Sequence, residues 1–217
     1  MFSTRSGMTL AAVVLLAAVI LGSPGYAAEP DSEGFTPLYN GKDLTGLKTT
    51  GNWIVKPDGV LAIEPRPGER GWQRYDAYLW SGKKYGDFVL DLEYKIPKGG
   101  NSGVFVRVQD TKNPVSKGIE VQILDSHGKK KLGAHDCGGV IGTTGPSKNM
   151  SKPAGEWNRM IVTCKGSLMK VSLNGEQIID LDLSKTGKKG LPLEGYVGLQ
   201  DHGLPLEFRN IKIKELK

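Results

Sequence analysis

The chemistry-bearing residues of this chain sit at alternate positions of short apolar runs. Glu93 lies in the run from Phe88 to Ile96, Arg107 in the run from Val104 to Val108, and Glu120 and Gln122 in the run from Ile119 to Leu124; Gln200 and His202 follow Val197 and Leu199. Apolar residues recur at every second position, so the polar ones share the opposite face of an extended strand. If these strands neighbour one another in one sheet, their polar faces form a continuous surface. Carboxylates, amides, a guanidinium and an imidazole are planar hydrogen-bonding groups, unlike the interchangeable Lys, Thr and Ser of an ordinary solvated face. Trp72, Tyr75, Tyr78 and Trp80 fall in one nearby segment. Polar groups that take hydroxyls, beside rings that cover an apolar face, are suited to holding a sugar. A salt-bridged outer face without a ligand is the plainer alternative.

The elements that must position these residues read as strands. Gly contributes 30 and Pro 12 of the 217 residues, about a fifth of the chain. Average usage is roughly an eighth. Both residues weaken helix interiors, no G-X-Y period marks a collagen-like chain, and no stretch sustains a 3.6-residue apolar period. Turn signals separate the runs. Lys56-Pro57-Asp58-Gly59 joins Trp53–Val55 to Val60–Ile63, and Asn174-Gly175 joins Leu168–Leu173 to Gln177–Leu181. The stretch Lys98-Gly99-Gly100 links the strand ending at Ile96 to one starting near Ser102. Many short strands with Gly/Pro turns predict an all-β sandwich or barrel, with a last strand from Leu206 to Leu216 and no second domain.

The N-terminus carries a targeting pattern. Arg5 precedes an unbroken apolar run from Leu10 to Leu21, and Gly25-Tyr26-Ala27 supplies small residues at the two positions a signal peptidase reads. This predicts a signal peptide over residues 1–27, a mature domain over 28–217, and export to a periplasm or the exterior, with no membrane association after cleavage. Export permits a disulfide, and Cys137 and Cys164 allow one pairing; burial of Cys164 in a strand is the alternative. No Cys/His cluster has zinc spacing. The net charge of +6 rests on short Lys clusters beside glycines, without a basic helix or stacking motif, which disfavours nucleic acid as a partner.

The segment Glu120-Val-Gln122-Ile-Leu-Asp125 narrows the chemistry. Retaining glucanases of the laminarinase type place Glu, Asp and Glu at the first, third and sixth positions of a similar strand. Here the residues are Glu, Gln and Asp. Gln122 takes no share of a proton, and carboxylates five residues apart reach one mouth only through a bulge or a strand end. Ordinary double displacement is therefore disfavoured.

The order and spacing of motifs along the chain resemble the 3-keto-disaccharide hydrolase domain family. The match runs from Phe35-Thr-Pro-Leu-Tyr-Asn-Gly-Lys-Asp-Leu44 through Leu92-Glu-Tyr94, Gly100-Asn-Ser-Gly-Val-Phe-Val-Arg107, Gly118-Ile-Glu-Val-Gln-Ile-Leu-Asp125, Gly155-Glu-Trp-Asn158 and Leu173-Asn-Gly175 to Gly198-Leu-Gln-Asp-His-Gly203 and Phe208-Arg-Asn-Ile211. The resemblance implies a concanavalin A-like jelly-roll sandwich of two antiparallel sheets. It also implies an enzyme acting on glycosides already oxidised at C3 by a separate sugar 3-dehydrogenase. A C3 ketone acidifies the C2 proton, so a base, an oxyanion stabiliser and an acid suffice for elimination and hydration.

On that chemistry Glu120 is the base, Arg107 the enolate stabiliser with its fork of donors, and His202 the acid or shuttle. Gln122, Gln200 and Asn101 orient hydroxyls, Trp80 forms a stacking wall, and Asp125, Glu93 and His135 border the substrate. Several alternatives stand beside these roles. Glu93 serves as ion-pair partner of Arg107, Asn101 serves its turn, and His135 and Asp136 belong to a solvated loop or bind a cation. His202 with Glu120 could instead ligate a divalent metal ion acting as a Lewis acid; no other cofactor is implied. A non-catalytic carbohydrate-binding module and a glucanase-type hydrolase are the rival functions.

Overall fold

The computed structural model describes Met1 and residues 33–217, so the expected signal peptide lies outside the described residues. The strands are β1 (Thr36–Pro37), β2 (Leu47–Lys48), β3 (Trp53–Val55), β4 (Leu61–Ile63), β5 (Leu79–Ser81), β6 (Phe88–Lys95), β7 (Asn101–Val108), β8 (Ile119–Leu124), β9 (Trp157–Lys165), β10 (Leu168–Leu173), β11 (Glu176–Asp182), β12 (Tyr196–Leu199) and β13 (Leu206–Glu215). One helical turn, α1 (Pro114–Lys117), and two short 3-10 turns complete the described elements.

These strands form two antiparallel sheets, the sandwich expected from the alternation. The larger has the order β11–β10–β9–β6–β13–β4–β3, with β1 added to β13; the smaller has the order β2–β5–β12–β7–β8. Side chains on the facing surfaces interdigitate as one core. From the larger sheet come Phe88, Leu90, Leu92 and Tyr94 of β6, Met160 and Val162 of β9, and Phe208 of β13. From the smaller come Leu79, Val104, Val106, Ile119, Val121, Ile123, Val197 and Leu199. Every second residue of these strands is therefore committed to the interior, and the intervening ones are delivered to an outer face.

The turns follow local chemistry. Asn174 and Gly175 take φ of 52° and 89°, the two left-handed conformations of a tight hairpin turn. Lys56 N–H bonds to the Val60 carbonyl at 2.8 Å and closes the β3–β4 hairpin. The link from β6 to β7 is different in kind, because these strands belong to opposite sheets and the chain crosses the sandwich there. Beyond β8, the free edge is bonded by a loop. Gln122 N–H donates to the Gly139 carbonyl at 2.8 Å, and Ile141 N–H donates to the Glu120 carbonyl at 3.0 Å. This removes the exposed edge that would otherwise invite pairing with another chain.

Cys137 and Cys164 are both buried free thiols. Cys137 Sγ lies 2.9 Å from the Tyr94 hydroxyl, while Cys164 stands opposite Phe88 and Met169 in the larger sheet. The burial alternative for Cys164 thus holds, and burial raises both thiol pKa values. Among the described residues, no helix is long and apolar enough to cross a membrane.

Candidate active site

The outer face of the smaller sheet assembles a site from four strands. Strand register aligns Trp80 of β5 with Gly198 of β12, Gly198 with Phe105 of β7, and Phe105 with Glu120 of β8. The next row contains Gly103 opposite Gln122, with Gln200 N–H bonded to the Gly103 carbonyl at 2.9 Å. The strand alternation that buries Val104, Val106, Ile119 and Val121 thereby turns these residues outward.

Two glycines let the large side chains lie down on the sheet. A Cβ on Gly198 would come within 2.3 Å of the Trp80 ring, and one on Gly103 within 2.3 Å of Glu120 Oε1. Trp80 stacks on Tyr78, with ring centres 5.7 Å apart, and Phe105 packs against both rings. The Trp80 Nε1–H is satisfied by the Tyr75 carbonyl at 3.0 Å. Trp80 is only 5% exposed, so it is the floor of the face rather than the stacking wall expected of it. The exposed ring is Trp72, whose centre lies 6.1 Å from that of Tyr75.

Against this aromatic floor Glu120 is 8% exposed. Its Oε1 accepts a hydrogen bond from Gln200 Nε2 at 3.0 Å. Burial disfavours the charged form and pushes the Glu120 carboxyl up to about 7, against a smaller downward pull from Lys188. Burial, with the Glu120 charge added, also raises Tyr75 and Tyr78. Both phenols stay protonated donors at neutral pH. Tyr78 spends its proton on the Trp72 carbonyl at 2.5 Å. Gln122 donates to Asn101 Oδ1 at 2.9 Å, so these two predicted residues meet. Gln200 Oε1 is buried without a partner, an acceptor that a bound hydroxyl would satisfy.

Other expected site residues are placed elsewhere. Arg107 takes φ of 53° at a β-bulge between β7 and β12, which reverses the alternation. Val108 then joins the outer aromatic cluster, and Arg107 turns inward, 1% exposed. Its guanidinium donates to the Gly166 carbonyl at 2.6 Å and to Asp87 at 3.2 Å. It ties β7 to the opposite sheet and does not face Glu120. Glu93 is on β6 in the larger sheet and pairs with Arg209 and Asn210 rather than Arg107. Asp125 accepts from Gly99 N–H at 2.9 Å and pins the crossing turn. Five extended residues at about 3.3 Å each separate it from Glu120 by roughly 16 Å.

His135 is exposed on its loop. Its neighbour Asp136 is occupied by Lys129 at 2.7 Å and Gly133 N–H at 2.7 Å, so that cation is a lysine. His202 is partly exposed, and its carbonyl receives Gly71 N–H at 3.1 Å. No bond joins its ring to Glu120. Among the described residues no group of three or more His, Cys, Asp or Glu is arranged to hold a metal ion. The Glu120 carboxyl is engaged by Gln200.

Sequence reasoning missed three features. Phe105 was legible as an apolar residue on an outward position, the mark of a covered face. Asp201 is fully buried and pairs with Arg74 at 3.4 Å, and Arg74 also pairs with Glu69 at 3.0 Å. This cluster ties the Trp72 segment to the end of β12, and nothing local in the sequence links residues so far apart. The third is a polar cleft of about 390 Å³ beside Tyr75.

The chain matches known proteins across most of its length. A curated relative from Bacteroides thetaiotaomicron, a 3-keto-disaccharide hydrolase, is 27% identical over 233 residues, covering 86% of this chain and 80% of that one. A crystal structure from Parabacteroides distasonis, of a protein provisionally named a glycosyl hydrolase, is 32% identical with a TM-score of 0.72, covering 84% of this chain and 99% of that one. A β-glucanase of Bacillus licheniformis, 14% identical with a TM-score of 0.53 over 86% of this chain and 100% of that one, shares the fold. The family model for the 3-keto-alpha-glucoside-1,2-lyase-like domain matches residues 34–214, strands and outer face together, and the chain belongs to that family.

Proposed function

We propose that the protein is an exported enzyme that cleaves glycosides whose sugar already carries a ketone at C3, with Glu120 as the base at C2. The observation that carries this reading is the buried Glu120 carboxyl, raised to about 7 and held by an amide rather than by a cation. A base near neutrality is matched to removing a proton of modest acidity. The two carboxylates first considered as a second acid, Asp125 and Glu93, are fixed elsewhere. Two carboxylates within about 5–10 Å are what the common glycosidase routes require. The family match and the hydrolase relative support the substrate class.

The steps use groups of this face. Glu120 takes the C2 proton, and the C–H electrons move onto the C3 oxygen to give an enediolate. The Tyr75 hydroxyl and the second amide hydrogen of Gln122 are the neutral donors available to that oxygen, the role first expected of Arg107. The electrons then return to form the C1–C2 double bond, the C1–O bond breaks, and the departing oxygen takes the proton held by Glu120. Addition of water across C1–C2 completes hydrolysis. Trp80 and Phe105 cover the floor, excluding water from beneath the base and strengthening its basicity. The substrate must come from an oxidation at C3, so a sugar 3-dehydrogenase precedes this step.

The test incubates the protein with a 3-keto-disaccharide and with its unoxidised parent. Release of 3-keto-glucose from the oxidised sugar alone supports the reading. Binding of both without turnover points to a carbohydrate-binding module, and cleavage of plain β-glucan to a glucanase. Replacing Glu120 by Gln is expected to lower kcat by about 10²–10⁴; full turnover would remove Glu120 from the reaction.

A further inference from the structure

A cleft of about 390 Å³ lies beside the aromatic floor, lined by Tyr75 with Thr50, Gln73, Arg74, Asp76 and Lys112. That volume is within the range of about 300–1,000 Å³ typical of ligand sites. Its walls come from the segment around the 3-10 turn Tyr75–Ala77 and from the loop between β7 and α1. Tyr75 belongs to both places. It lines the cleft, and it packs edge-on against Tyr78 with ring centres 5.8 Å apart, next to Trp80 and Phe105. The cleft therefore opens beside the face on which Glu120 sits.

The polar groups of the cleft are of two kinds. Arg74 is fixed, held by Glu69 and Asp201, and forms a rigid wall. The side-chain polar groups of Thr50, Gln73, Asp76 and Lys112 have no bond to another group of the chain among the described residues. They offer a hydroxyl, an amide, a carboxylate and an ammonium, so both donors and acceptors are present. Asp76 and Lys112 cancel in charge, as do Glu69 and Arg74, so neither an anion nor a cation is favoured. A lining this polar also suits an aryl group poorly.

We infer that this cleft receives the group released from C1, and that this group is a sugar or similar polyol. The inference rests on the reading of Glu120 given above and adds the substrate's other half. It makes Gln73, Asp76 and Lys112 specificity-determining residues.

The experiment compares kcat/KM for a 3-keto-disaccharide, a methyl 3-keto-glucoside and a 4-nitrophenyl 3-keto-glucoside, using the full chain and a D76A/K112A double variant. The native protein is expected to favour the disaccharide over the methyl glycoside by tenfold or more. The double variant is expected to reduce that ratio about tenfold, the effect of one or two lost hydrogen bonds. An unchanged ratio, or a native preference for the nitrophenyl glycoside, would overturn the inference. If the native protein cleaves none of the three, the reading of Glu120 fails. The cleft is then judged by saturation-transfer NMR with glucose. Signal present in the native protein and absent from the double variant supports the site, and equal signal refutes it.

Discussion

Glu120 makes a quantitative prediction because its two roles oppose each other. Burial moves its carboxyl from 4.5 to about 7. At about 1.36 kcal/mol per pH unit this is on the order of 3 kcal/mol. The sign follows from proton linkage. Between the two pKa values the folded state binds more protons at this group than the unfolded chain, so stability falls as pH rises. The contribution is fully present below about pH 4.5 and lost above about 7. Glu120→Gln keeps an acceptor for Gln200 and removes the titration. Its unfolding free energy should match that of the native protein near pH 4.5 and exceed it by roughly 2–3 kcal/mol at pH 8. Urea unfolding of both proteins at several pH values measures the gap. The same ionisation should appear as a rising limb in kcat/KM near pH 7, absent from the variant's residual activity. An ordinary His titrates in that range too, so His202→Gln is the control and should retain the limb. A stability gap that does not change with pH would refute the reasoning, because it would mean Glu120 is ionised at no cost.

Other perturbations test the remaining parts of the face. Gly103→Ala places a methyl group within 2.3 Å of Glu120 Oε1; the carboxyl must move, and kcat should fall about 10²-fold, as expected of a misplacement near 1 Å, with circular dichroism reporting a retained fold. Gly198→Ala drives a Cβ into the Trp80 ring and should cost about 1–3 kcal/mol in urea unfolding. Arg107→Ala removes the buried tie to Asp87 and Gly166 and should cost about 3–5 kcal/mol, while the KM of the folded fraction stays near the native value; a stable variant with kcat down a hundredfold would instead return Arg107 to the enediolate. Lys188→Met removes the positive charge that pulls Glu120 downward and should shift the kcat/KM limb to higher pH.

The fold was legible because each strand repeats apolar residues at period two, and that period is a direct consequence of strand geometry. Phe88 to Tyr94, Val104 to Val106 and Ile119 to Ile123 all bury the residues their alternation predicts. The same alternation gave the true neighbours Glu120, Gln122 and Gln200. It failed at Arg107 because one residue with positive φ inverts every later orientation on its strand. Alternation also does not say which sheet a strand joins. Glu93 shares the pattern of Glu120, yet β6 and β8 lie in opposite sheets, so the shared periodicity carried no information about proximity. Asp201 with Arg74 was invisible for a related reason, since its partner is supplied by a loop with no period at all.

The glycines on the face show how a strand surface, normally wet, becomes dry enough to raise an acid. A sheet face exposes alternate side chains to solvent, and a carboxylate standing upright on it would keep its hydration and its ordinary pKa. Removing the side chains at 103 and 198 leaves two shallow vacancies in neighbouring strands, and the Glu120 carboxyl and the Trp80 ring lie down into them. Phe105 packs against the Trp80 ring and stands opposite Glu120 in register, so the carboxyl has apolar surface on one side and sheet backbone beneath. Desolvation follows from that geometry without any deep cavity. It follows too that the site depends on what is absent. Restoring a methyl group at Gly103 should lower the Glu120 pKa toward 4.5 by pushing the carboxyl back into water, and the loss of activity should come with a shift of the kcat/KM limb to lower pH. A Gly103→Ala protein that loses activity but keeps its limb near 7 would locate the effect in substrate fit rather than in the base.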